Sequence, residues 1–215
     1  SMMNRESRKL KNSEGRALNV NDTLKEAWNS NDLKNIRTNM ISGKKVKGCE
    51  VCYLQESSGR ISNRQHANSE WSTKLGEKHL YDLIDQAILK NGELDYKLAY
   101  LDLRLGNLCN LKCRMCSPYN SSQILKEHVE LEKKDLGYKV VWAKAFGKLN
   151  PDIEKVQEWF DKDFLWDQII DMIPHLHKVY MTGGEPTLIQ NNFKFMQACL
   201  DQGRQDMILF FNTNC

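Results

Sequence analysis

The sequence predicts an α/β fold, a small parallel sheet preceded by a helical extension. From residue 97 the patterns read strand, helix, strand, helix, strand, the grammar of parallel α/β structure. Each of the three strand patterns also runs into a loop of Cys, Gly or Asn, where the sites of such folds lie. Composition agrees: of 215 residues, 40% are hydrophobic and 27% charged, enough apolar matter for a real core and too much for wholesale disorder. A net charge of +3 argues against a sequence-blind nucleic-acid binder. No apolar run approaches the roughly 20 residues of a membrane span. Ser1 to Lys11 lacks the apolar stretch of a signal peptide, so the expected compartment is the cytoplasm, with no membrane partner. Ser1-Met2 before Met3 reads as a remnant of expression.

Residues 1–22, rich in Asn, Ser, Lys and Arg, are expected to be a mobile leader. Residues 23–96 form the extension. Thr23 can cap a short helix carrying Leu24, Ala27 and Trp28. Asn31 or Asp32 can cap a second, through Leu33, Ile36 and Met40, ended by Gly43. Residues 43–70 read as an irregular segment, and Tyr81 to Leu89 as a helix stopped near Asn91-Gly92. Residues 97–215 hold the α/β part. In Leu98–Leu105 the residues Leu101, Leu103 and Leu105 alternate with Asp102 and Arg104, a strand. The leucines belong in a core, and the two charges in water or in the polar lumen of a barrel. Ser121 to Lys133 is an amphipathic helix, 134–163 an insertion, and Phe164–Ile173 a helix ended by Pro174. Lys178–Met181 is the second strand and Asn191–Gln202 a helix. Met207–Phe211 is a third strand, apolar enough to be fully buried.

Seven cysteines, an odd number in a chain without a signal peptide, exclude complete disulfide pairing and favour metal ligation or catalysis. Cys109, Cys113 and Cys116 fall within eight residues directly after the first strand. Three thiolates on one short loop suit an iron–sulfur cluster or zinc, and a missing fourth ligand leaves a coordination position open.

The spacing C-x3-C-x2-C in Cys109-Asn110-Leu111-Lys112-Cys113-Arg114-Met115-Cys116, at the end of a strand, resembles the signature of the radical S-adenosylmethionine superfamily. Gly183-Gly184-Glu185-Pro186, after the next strand, is similar to that family's GGEP motif in the same topological place. The resemblance covers about residues 43–215 and implies a partial (β/α) barrel of the radical SAM type. On that template Cys109, Cys113 and Cys116 would hold a [4Fe–4S] cluster whose free iron chelates S-adenosylmethionine. Reductive cleavage would give methionine and a 5′-deoxyadenosyl radical that abstracts a substrate hydrogen. Gly183, Gly184, Glu185 and Pro186 would line the cofactor, with Glu185 or nearby backbone accepting from its ammonium group. Asn212 and Asn214 resemble polar residues that reach cofactor or substrate. Met115 stands where the family has an aromatic residue beside the adenine. The resemblance further implies a flavodoxin- or ferredoxin-type reductant, with a peptide or a small metabolite as substrate.

Cys49 and Cys52, with Glu56, Gly59, Ser62 and Arg64 after them, resemble a stretch that precedes the triad in radical SAM proteins of the twitch-domain type. They are candidate ligands of a second metal, an auxiliary cluster or zinc with His66 or His79; the alternative is a pair of reduced cysteines in a loop. Cys199 reads as a buried small hydrophobe, and Cys215 carries no role. Trp159, Phe160, Phe164 and Trp166 read as core more readily than as a cleft wall. His175 and His177 read as surface residues, and Lys44, Lys45 and Lys47 as a solvated face. Three strands are about half of the implied barrel. The expectation is therefore a fragment of a longer protein, or a half-barrel that pairs its last strand with a second copy. Two rival functions are a cluster-bearing electron-transfer protein without cleavage activity and a zinc-stabilised interaction module.

Overall fold

The computed structural model describes residues 10–12, 14–19, 21–134 and 162–214. The chain divides into two compact units, Ser1–Tyr96 and Lys97–Cys215. Among the described residues no helix is long and apolar enough to cross a membrane.

In the first unit, the described residues of the expected mobile leader, 10–12, 14–19, 21 and 22, form a hydrogen-bonded turn. Lys11 bridges Ala17, the Leu18 amide donates to the Leu10 carbonyl at 2.8 Å, and Arg16 pairs with Asp22. Helix α1, Leu24–Trp28, starts at Thr23 with a capping box: the Thr23 hydroxyl takes the Glu26 amide and the Glu26 carboxylate takes the Thr23 amide. Helix α2, Asn31–Ile41, is capped by the buried Ser30, not by Asn31 or Asp32. Gly43 follows it at φ 71°, the left-handed conformation that glycine adopts without strain.

The expected irregular segment 43–70 is corrected. It holds helix α3, Glu50–Ser57, and most of helix α4, Asn63–Leu75. A side-chain clasp links the two. Glu56 accepts from the Ser62 hydroxyl at 2.6 Å and from Arg64 Nε and Nη2 at 3.2 and 2.5 Å, while Ser62 and Gln65 form the capping box of α4. Helix α5 spans Glu77–Leu89. The turn after it packs on α2: a Cβ at Gly92 would lie 2.5 Å from the Lys34 carbonyl oxygen. Arg37 joins these pieces, donating to the carbonyls of Trp28 (2.7 Å) and Gly92 (3.0 Å) with its guanidinium 4.4 Å from the Trp28 ring centre.

The second unit is a three-stranded parallel sheet in the order β1-β2-β3: β1 Tyr100–Arg104, β2 Lys178–Thr182, β3 Ile208–Phe211. Its helices are α6 Ser122–Lys133, α7 Asp163–Ile170 and α8 Gln190–Asp201, with 3-10 turns at Ile173–His175 and Pro186–Leu188. Leu101 pairs with Val179 and Leu103 with Met181, so these apolar residues share one face of the sheet. Leu103, Val179 and Met181 are buried, as are Leu165 and Ile169 of α7 and Phe195 and Cys199 of α8. The opposite face carries Tyr100, Asp102 and Arg104 of β1, Lys178, Tyr180 and Thr182 of β2, and Ile208 and Phe210 of β3. The expectation of a fully buried third strand is corrected. Ile208, Phe210 and Phe211 are exposed, and β3 is an edge strand whose outer side no strand pairs among the described residues. The sheet does not close into a barrel among the described residues.

Cys199 is buried as read, its sulfur 4.0 Å from that of Met207. Phe164 is exposed, as are His175 and His177, and Trp166 is half-buried. Nearly all of the expected insertion 134–163, with Trp159 and Phe160, lies outside the described residues, as does Cys215.

Candidate functional site

At the carboxyl ends of β1, β2 and β3 lies a cavity of about 310 Å³, in the second unit. Its wall includes Cys109, Cys113 and Cys116 from the loop after β1, Gly183, Gly184 and Glu185 from the loop after β2, and Asn212 and Asn214 after β3. Parallel strands direct their carboxyl ends to one edge, so three segments distant in sequence meet there.

The cysteine loop is folded back onto the start of α6. The Ser122 amide donates to the Asn107 carbonyl at 2.7 Å, and the Ser122 hydroxyl takes the Cys109 amide at 3.3 Å. The buried Ser121 donates its hydroxyl to the Leu111 carbonyl at 2.8 Å. Cys109 is buried, Cys116 half-buried and Cys113 exposed. Burial first, and then the neighbouring Cys113 and Cys109, push the Cys116 thiol above its ordinary range. A thiolate there forms against the others' charge, and a bound cation would offset that repulsion. The donor set, three thiols on one cavity wall, therefore fits an iron–sulfur cluster or zinc. Among the described residues, however, no three His, Cys, Asp or Glu side chains converge into a ready-made metal cage.

The glycine pair has a definite steric function. Gly183 sits at φ 127°, and a Cβ there would lie 2.8 Å from the Gly106 carbonyl oxygen. A Cβ at Gly184 would lie 2.0 Å from the Leu108 carbonyl oxygen. The Gly184 amide donates to Gly106 at 3.2 Å and the Glu185 amide to Leu108 at 2.7 Å. The glycines thus let the loop after β2 lie directly on the cysteine loop.

Glu185 is 1% exposed. Its carboxylate accepts from the Thr187 amide (3.1 Å), the Thr187 hydroxyl (2.7 Å), the Thr213 hydroxyl (2.7 Å) and the Asn214 amide (2.8 Å). Burial alone would raise its pKa. The donors, Asn214 foremost, outweigh burial and bring it down to about 2. These internal donors occupy the carboxylate within the protein itself. Pro186 is buried and starts a 3-10 turn, its carbonyl taking the Asn192 amide group at 2.9 Å.

Asn214 extends the Glu185 chain to the thiols: its Nδ2 lies 3.7 Å from Cys109 Sγ and 3.1 Å from Asn110 Oδ1. Asn212 continues the β3 ladder, its amide donating to the Met181 carbonyl at 3.2 Å. Met115 is not brought to the site. It is 99% exposed and absent from the cavity wall. Sequence reasoning missed four wall residues: Asn120, Tyr180, Thr182 and Thr213. Tyr180 and Thr182 were legible by parity, since they alternate with the buried Val179 and Met181. Thr213 had only its place between two singled-out asparagines.

No family model, curated protein or solved structure matches the chain.

Cys49 and Cys52 lie in the first unit, Cys49 as the residue before α3 and Cys52 in its first turn, both half-buried. Neither His66 nor His79 joins them in a cluster of three ligand-type side chains.

Proposed function

We propose that the chain is a radical S-adenosylmethionine enzyme, or the N-terminal part of one, with the sheet contributing to a (β/α) barrel. One observation carries this reading: the three cysteines and the Gly183-Gly184-Glu185 loop, far apart in sequence, form one cavity wall at the carboxyl ends of parallel strands. When bound, the cluster supplies the electron for cleaving the cofactor's sulfonium, and hence hydrogen abstraction from a substrate. Cys109, Cys113 and Cys116 would hold the cluster, with the exposed Cys113 as the ligand nearest solvent. Backbone of the Gly183–Glu185 loop and Asn212 would orient the cofactor. Asn214 would donate to the Cys109 sulfur. The protein would act in a reducing compartment, the cytoplasm, fed by a flavodoxin- or ferredoxin-type reductant. Cys49 and Cys52 would be candidate ligands of a second metal, an auxiliary cluster or zinc, in a twitch-type protein.

The test is anaerobic reconstitution with iron and sulfide, followed by dithionite and S-adenosylmethionine. The expected product is 5′-deoxyadenosine, lost in Cys113→Ala. A brown cluster without that product supports electron transfer instead. Tight zinc without a brown chromophore supports an interaction module.

A further inference from the structure

The cavity wall has a part that the cysteines and the glycine loop do not use. Arg104 and Thr182 are direct partners across β1 and β2, on the face that carries Tyr180 and Asp102, and both line the cavity. Arg104 is held from one side. Its Nε and Nη2 each lie 3.1 Å from the Asp102 carboxylate oxygens, Oδ1 and Oδ2. That side-on pair leaves both N–H groups of Nη1 and one of Nη2 without a protein acceptor among the described residues, and the side chain is 63% exposed. A guanidinium anchored in this way presents its end-on fork with little entropy left to lose, and that fork matches a carboxylate. Beside it, Thr182 is 9% exposed, and its hydroxyl has no hydrogen-bond partner among the described residues. An unpartnered buried hydroxyl is costly, and a ligand oxygen here would satisfy it. Glu185, the acidic side chain on the wall, is engaged by Thr187, Thr213 and Asn214. Further along the same face Tyr180 pairs with Phe210, which is exposed, so an apolar surface continues from the polar end.

We propose that Arg104 and Thr182 form a subsite for a carboxylate on the substrate, whose apolar body lies along Tyr180. This rests on the proposed function, and it names the substrate class: an acid with an apolar group beside its carboxylate.

The probes are N-acetylphenylalanine and its primary amide, titrated by NMR against the cluster-free full chain with the Thr182 methyl as reporter. The acid is expected to bind at least about tenfold more tightly than the amide, the effect of one charge-assisted pair. Arg104→Gln should abolish that preference, and Arg104→Lys, which keeps the charge but loses the fork, should fall between. Thr182→Val, nearly isosteric and followed through its own valine methyls, should weaken the acid several-fold. Equal binding of acid and amide, binding of neither, or an Arg104→Gln protein that keeps the preference would overturn the proposal. In the reconstituted protein, saturating S-adenosylmethionine should leave the acid's affinity intact. Direct competition would assign the subsite to the cofactor and overturn the substrate reading. The two failures are distinct: wild-type protein that prefers the acid but forms no 5′-deoxyadenosine defeats the proposed enzyme alone.

Discussion

Glu185 shows how one carboxylate can fasten a site. Its four donors come from its own loop and from the segment after β3, so it ties β2 to β3 at the cavity. Its folded pKa, about 2, lies below the ordinary carboxylate value of about 4.3. The stabilisation is therefore fully present above about pH 4.3 and is lost as pH falls toward 2. Chemical denaturation of the sheet unit, followed by the near-ultraviolet signal of its tyrosines, should show falling stability across that window. Glu185→Gln keeps the shape but removes the charge and turns an acceptor into a donor. It should cost about 1–3 kcal/mol at pH 7 and flatten the acid limb. Asn214 acts one bond further on. A hydrogen bond to a cluster thiolate stabilises the more negative, reduced state. Under the proposed function, Asn214→Ala should lower the midpoint potential of the reconstituted cluster, read by redox titration of its electron paramagnetic resonance signal, and an unchanged potential would remove Asn214 from that role. The Glu185 and Asn214 contacts join positions 29 and 105 residues apart, so no local pattern announces them.

At the scale of elements, the contact between the loops after β1 and β2 is the tightest in the site. Gly184→Ala would drive a methyl into the Leu108 carbonyl, which a backbone neighbour cannot sidestep. It should destabilise the unit by more than 2 kcal/mol, roughly the upper range of ordinary substitutions. Gly43→Ala, where nothing lies within 4 Å, should cost about 1 kcal/mol from its positive φ alone. Equal losses by denaturant titration would refute the steric account. The strands were legible in the sequence because Leu101, Leu103 and Leu105 alternate with charges and because each strand runs into its loop. Helices α3 and α4 were not. Helix α4 opens on a polar run (Asn63, Arg64, Gln65, His66), and no residue of either helix is buried. What holds that segment is the Glu56, Ser62 and Arg64 clasp, formed between side chains six and eight residues apart. Such a clasp leaves no periodicity. Glu56, Ser62 and Arg64 were nonetheless singled out as residues, through the likeness of their spacing to a known stretch.

At the scale of the molecule, the sheet unit has, among the described residues, one helix-covered face and one open face, and β3 lies at its edge. An exposed apolar edge strand is a template for pairing with another chain. Under the proposed function a second copy is a natural occupant, completing the barrel wall. Phe210 is 47% exposed on the open face, with the Lys178 ammonium 4.7 Å from its ring centre. Phe210→Glu, placing a carboxylate beside that lysine, should reduce self-association in sedimentation velocity while keeping the fold. An unchanged association state would place any contact elsewhere.

The Gly184 contact has one more consequence, in time rather than in space. The Glu185 amide donates to the Leu108 carbonyl, and Leu108 immediately precedes Cys109. That single proton can exchange with solvent only when the two loops part. Its exchange rate is thus a clock for how often the cysteine loop opens, and filling the site with a metal would slow that clock without touching the proton itself.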